Sequence, residues 1–78
     1  HQGAECDLLL VKNEKVICTV EIKNTLSPKV GKGFRVCMED TKTEKGIIIS
    51  RVDKGYPIEE NIEVMSFKEF IICYSSQT

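Results

Sequence analysis

Gly46-Ile47-Ile48-Ile49-Ser50 holds an apolar, β-branched run that no polar residue interrupts before Ser50. Alternate residues of a strand point to opposite faces of its sheet, and here both sets are hydrophobic, so the run reads as a strand covered on both sides. It is expected at the centre of a sheet. Immediately upstream, Thr41 to Gly46 is a polar connector. Before that, Lys29 to Asp40 carries Val30, Phe34, Cys37 and Met38 at helical spacing, with Lys29, Lys32 and Arg35 on a polar arc. Ser27-Pro28 offers an N-cap residue followed by proline at the first helical position, so the helix is expected to begin there. Gly31 and Gly33 weaken its start, each costing about 1 kcal/mol relative to alanine in a helix interior.

Further upstream, Cys6 to Lys12 and Val16 to Lys23 read as two strands. They are separated by Asn13-Glu14-Lys15, a polar break of the length that closes a hairpin. Both strands are apolar runs of the kind that is buried, interrupted by charges. A strand, helix, strand succession implies a right-handed crossover, which places Ile47 to Ser50 parallel to the hairpin in one mixed sheet. Downstream, Asp53-Lys54-Gly55-Tyr56-Pro57 reads as loop and Ile62 to Met65 as a further short strand. Ser66 with Glu69 forms a capping box that opens a last helix through Phe67, Phe70, Ile71 and Tyr74, and Ser75 to Thr78 is expected to fray. Tyr56 and Phe67 are read as packing residues rather than base-stacking platforms. The fold class expected is α/β: hairpin, crossover helix, parallel strand, short strand, C-terminal helix.

Seventy-eight residues allow one small domain, and 41% apolar with 29% charged residues is the composition of a soluble globular protein. No apolar stretch approaches the length of a membrane span, and no secretory signal is present. The chain begins at His1-Gln2-Gly3 without Met, which suggests a piece of something longer; His1 itself is assigned no role. Cys6, Cys18, Cys37 and Cys73 lie in apolar runs without a C-x-x-C pair, so they read as buried free thiols in a reducing compartment, the cytoplasm. The formal net charge of −1 argues for no polyanion by itself. Lys29, Lys32, Arg35, Lys42, Lys45, Arg51 and Lys54 nevertheless give the middle of the chain a mild basic bias.

The charges that interrupt the first two strands are Glu5-x-Asp7 and Glu21-Ile22-Lys23. Carboxylates beside buried strands call for a cation, a paired base or solvent. Glu21 and Lys23 share one face of their strand, and Glu5 and Asp7 share one face of theirs. If Lys12 pairs with Val16 across a three-residue loop, Asp7 faces Glu21 and Glu5 faces Lys23, and all four groups converge. A two-residue loop sets Asp7 opposite Val20 and scatters them. The three-residue loop is the register expected. Asp7 and Glu21 could then bind Mg²⁺ through one oxygen each, with the carbonyl of Ile22 as a further donor, leaving positions for water and a phosphate oxygen. Lys23 would position or deprotonate the nucleophile. The alternative is that Glu21 and Lys23 are solvated residues on the open face of the sheet, since a Glu-x-Lys triplet alone arises by chance.

Asp7 followed by Glu21-x-Lys23 on a hairpin, then helix and strand, resembles the core of the PD-(D/E)XK nuclease superfamily. The segments Glu5 to Val11, Val20 to Asn24, Lys32-Gly33-Phe34, Lys45 to Ile49, Ile62 to Met65 and Phe67 to Phe70 are together similar to the nuclease-like C-terminal domain of a prokaryotic group of AAA-type ATPases. The resemblance covers nearly the whole chain. It implies a restriction-endonuclease-like mixed sheet, metal ligands at Asp7 and Glu21, a catalytic lysine at Lys23, and an ATPase domain upstream in the parent chain. The helix and strand that usually open the superfamily core would lie before His1, and Cys6 stands where the namesake motif has proline. Glu5 is read as lying beside the ligands or in solvent rather than as a ligand. Lys29, Lys32 and Arg35 are candidates for phosphate contact, with a solvated helix face as the alternative. The function expected is Mg²⁺-dependent hydrolysis of DNA. A catalytically silent DNA-binding or regulatory module is the alternative, and an oligomerisation piece a third reading.

Overall fold

The computed structural model describes residues 5–75. The order is β1 (Leu8–Lys12), β2 (Lys15–Ile22), α1 (Lys32–Thr41), β3 (Gly46–Ile49), β4 (Tyr56–Glu59), β5 (Ile62–Met65) and α2 (Phe67–Ser75). One mixed sheet of five strands runs β1-β2-β3-β5-β4. β3 is parallel to β2 on one side and to β5 on the other, and antiparallel hairpins add β1 and β4 at the edges.

All four residues of β3 are buried, as its sequence requires. Ile47 and Ile49 pack with Cys18, Val20, Met65 and Phe70, which places α2 on that face of the sheet. Ile48 packs with Phe34, Ile62 and Val64, which places α1 on the other. The helix approaches closely: a Cβ on Gly46 would lie 2.7 Å from the Phe34 ring and 2.8 Å from the Met38 sulfur. The capping box forms, with Ser66 N–H donating to Glu69 Oε1 at 2.9 Å and Glu69 N–H donating to Ser66 Oγ at 3.1 Å.

Several sequence expectations are corrected. The β1–β2 loop has two residues, not three: Lys12 pairs with Lys15, and Asn13 and Glu14 take the left-handed conformation (φ 52° and 66°) of a tight hairpin turn. A bulge between Leu10 and Val11 then restores the register that the longer loop would have given, and Leu8 pairs with Val20. The Leu8-to-Val11 run is an edge strand, so Leu8, Leu9 and Val11 are exposed.

α1 starts at Lys32, with Gly31 as a cap that makes no side-chain bond, rather than at Ser27-Pro28. The Lys29 carbonyl, which a longer helix would need, accepts a bond from Lys23 Nζ instead, and the two glycines make that loss inexpensive. Tyr56 and Pro57, expected in a loop, belong to β4, where proline is tolerated because the strand is an edge. Cys18 and Cys37 are buried, but Cys6 is half-buried and Cys73 exposed; all four thiols are free. Tyr56 and Phe67 are exposed rather than packed. Ser75 closes α2, and the remainder of the expected frayed tail, like His1, lies outside the described residues.

Candidate functional site

Asp7, Glu21 and Lys23 meet where β2 ends beside the start of β1. Asp7 N–H donates to the Val20 carbonyl at 2.9 Å, so the residue before β1 meets β2 at Val20, which Leu8 also faces. One oxygen of its carboxylate, Oδ2, accepts from Ile22 N–H at 2.7 Å, so the side chain caps the open edge of β2. Glu21 lies beside Ile48 in the β2–β3 register, and Lys23 N–H continues that ladder to the Ile49 carbonyl at 2.8 Å. The Lys23 ammonium stands 4.0 Å from Glu21 Oε1 and donates at 2.8 Å to the Lys29 carbonyl, which holds the segment leading into α1 over the site.

Glu5 does not face Lys23 across the hairpin. Its N–H donates at 2.9 Å to the Gly33 carbonyl, so the chain there has turned towards α1, and its side chain is exposed. It nevertheless acts on Glu21 through space. Burial pushes the Glu21 carboxyl above the usual carboxylate range; the Lys23 ammonium opposes the shift, and the negative charges of Asp7 and Glu5 add to it. Glu21 Oε1 is buried with no hydrogen-bond partner.

A buried carboxylate oxygen that accepts no hydrogen bond, crowded by like charges and 4.0 Å from an ammonium, could accept a cation. The donor set consists of hard oxygens. Among the described residues no three His, Cys, Asp or Glu side chains are grouped to hold a metal ion. Two carboxylates with water and a substrate oxygen completing the shell is how Mg²⁺ is bound, in contrast to a closed structural zinc site. Cys6 is unsuited to join as a thiolate: burial, then its hydrogen bond with Cys37, push its thiol up to about 12.

Of the three basic residues on the helical arc, Arg35 is bound by both guanidinium nitrogens to the carboxylate of Glu59, fastening α1 to β4. Each group stabilises the charged form of the other, raising the arginine and lowering the glutamate. Lys32, the first residue of α1, and Lys29 are exposed.

Sequence reasoning missed Ser50, Arg51 and Phe67. They line a groove of about 470 Å³ at the carboxyl ends of β2 and β3, together with Ile22, Asn24, Ile49 and Lys23, the last shared with the carboxylate cluster. Ser50 Oγ is the second buried side-chain atom without a partner among the described residues. The signal available was position: Ser50 is the first polar residue after the central strand, where open α/β sheets place their ligands.

A family model described as a domain of unknown function matches residues 1–70. The chain belongs to the DUF4143 family. Neither the curated proteins nor the solved structures give a match. In this DUF4143 chain no helix among the described residues is long and apolar enough to cross a membrane.

Proposed function

We propose that Asp7, Glu21 and Lys23 form a Mg²⁺-dependent phosphodiester-cleaving site of the PD-(D/E)XK type, acting on DNA in a domain attached to an ATPase of the same parent chain. The observation that carries this reading is the buried Oε1 of Glu21, which accepts no hydrogen bond and stands 4.0 Å from the Lys23 ammonium, next to Ile22, whose N–H holds the Asp7 carboxylate. Asp7 and Glu21 would hold the ion, which neutralises charge developing on phosphorus and acidifies a bound water. Lys23, whose ammonium donates to the Lys29 carbonyl, would orient or deprotonate the attacking water. Lys29 and Lys32 supply positive charge for flanking phosphates at the entrance to α1. The free thiols fit a reducing, cytoplasmic setting.

The test is cleavage of plasmid DNA by the intact parent protein with Mg²⁺, with EDTA, and with the variants Asp7→Ala and Lys23→Ala. Wild type is expected to cut only with the metal, and each variant to lose about a hundredfold or more in rate, the scale of a positioned catalytic group. Calorimetric Mg²⁺ titration should show binding that Asp7→Ala abolishes. Equal cutting by all three proteins, or none by any, removes the enzymatic reading. The silent DNA-binding or regulatory module then takes its place, which the prior engagement of Lys23 by a backbone carbonyl favours.

A further inference from the structure

The groove beside the carboxylates combines features that neither the fold nor the metal site explains. Its walls include Ile22 and Phe67, which are 57% and 62% exposed although both are large and apolar. Among its lining residues is Ser50, only 7% exposed, whose buried hydroxyl has no hydrogen-bond partner. Its border is cationic. Arg51 forms no ion pair among the described residues, and Lys23 belongs both to the groove and to the carboxylate cluster. Asn24 adds an exposed amide.

An apolar groove with an exposed aromatic ring, an exposed amide and flanking cations matches one kind of occupant. A nucleobase offers a π-face for stacking, polar edges for the amide, and a phosphate on either side for the cations. An aliphatic side chain of a protein partner would use the walls alone and leave Asn24 and Arg51 without function. We propose that this groove receives one unstacked base of the strand whose phosphate lies at Asp7, Glu21 and Lys23, so that the ligand is single-stranded or locally unpaired DNA. The inference rests on the nucleic-acid part of the function proposed above. A base inside a duplex cannot offer its face without being unstacked and unpaired, which disfavours intact duplex. Phe67 is suited to the role because it opens α2 immediately after the capping residue Ser66, outside the core that Phe70 completes.

The experiment is fluorescence anisotropy of the protein with labelled oligothymidylate, an abasic oligomer of equal length and charge, and a matched duplex, all in EDTA so that nothing is cut. Oligothymidylate is expected to bind about tenfold tighter than the abasic oligomer, the gain of one stacked base. Phe67→Ala should lose about tenfold on oligothymidylate and nothing on the abasic oligomer, and Phe67→Tyr should retain wild-type binding. Arg51→Ala should weaken both alike and flatten the salt dependence. Circular dichroism of Phe67→Ala should match wild type, because the ring is exposed. Equal affinity for base-bearing and abasic oligomers, tighter binding of duplex, or no binding at all overturns the inference. If that occurs while plasmid cleavage still depends on Asp7 and Lys23, the nuclease reading survives without the base groove. Oligomer binding as expected, without cleavage by wild type, leaves the groove and removes the catalysis.

Discussion

At the amino ends of β3 and β5, Lys45 pairs with Glu63 at 3.4 Å, and the Lys45 carbonyl accepts from both the backbone N–H and the hydroxyl of Thr19. Gly46 N–H donates to the Asn61 carbonyl at 2.9 Å. A hollow of about 420 Å³ lies there too, yet Lys45, Glu59 and Glu63 in its lining are all ion-paired. At the carboxyl ends of β2 and β3, Glu21 Oε1 and Ser50 Oγ are buried without hydrogen-bond partners, and burial, with like charges adding to it, pushes the Glu21 carboxyl above its usual range. At one end of the sheet Lys45, Glu59 and Glu63 are satisfied from within. The other retains unspent hydrogen-bonding and charge capacity, as expected where parallel strands deliver side chains to a ligand. Hollow size does not separate the two ends; the state of the polar atoms does.

Substitutions can break this contrast or sharpen it. The largest effect is expected at the carboxyl end, in the cleavage lost by Asp7→Ala and Lys23→Ala without loss of fold. At the amino end, Gly46→Ala should do the reverse. A Cβ there meets the fully buried Phe34 ring and the Met38 sulfur, so overpacking should lower stability by about 1–3 kcal/mol in urea denaturation while cleavage by the folded fraction is unchanged.

Glu21→Gln comes next and tests the site without chemistry. Because the folded state raises the Glu21 carboxyl, the folded protein binds more protons than the unfolded one above the ordinary glutamate value of about 4.3. Wild-type stability should therefore fall as pH rises from there through the raised folded value, then level off. The Gln variant should lack this decline and be more stable at neutral pH, on the order of 1 kcal/mol, the scale of a buried unsatisfied polar group. Added Mg²⁺ should raise the wild-type melting midpoint and leave that of Glu21→Gln unmoved. A variant less stable than wild type at neutral pH would mean that the Glu21 carboxylate is compensated after all.

The smallest effect should come from Lys45 and Glu63. A double-mutant cycle to alanine is expected to give a coupling of about 0.2–1 kcal/mol, shrinking with salt, as exposed pairs do.

Much of this architecture is legible in local sequence because local rules suffice for it. An unbroken Ile run can only be a covered strand, and Ser66 with Glu69 satisfies the first turn of α2 wherever that helix packs. Other features depend on competition between distant groups. The helix start at Lys32 goes with such a contact: the Lys29 carbonyl accepts from Lys23, a residue just past the end of β2. β4 was hidden because Pro57 argues against a strand until that strand is known to be an edge. The exposure of Phe67 depends on how α2 lies on the sheet.

The hairpin shows the division most clearly. Residue type and alternation by themselves determined that Glu21 and Lys23 share a face, that Asp7 lies on the neighbouring strand, and that an Ile-rich strand runs beside them. Tertiary structure alone decided that the three meet. The turn is one residue shorter than expected, the bulge at Leu10/Val11 returns Leu8 to its place opposite Val20, and the Asp7 carboxylate reaches past that pair to the Ile22 N–H. Side chains alternate with a period of two, so a single-residue slip inverts every one of them, and only pairing against the packed sheet selects which slip is compensated.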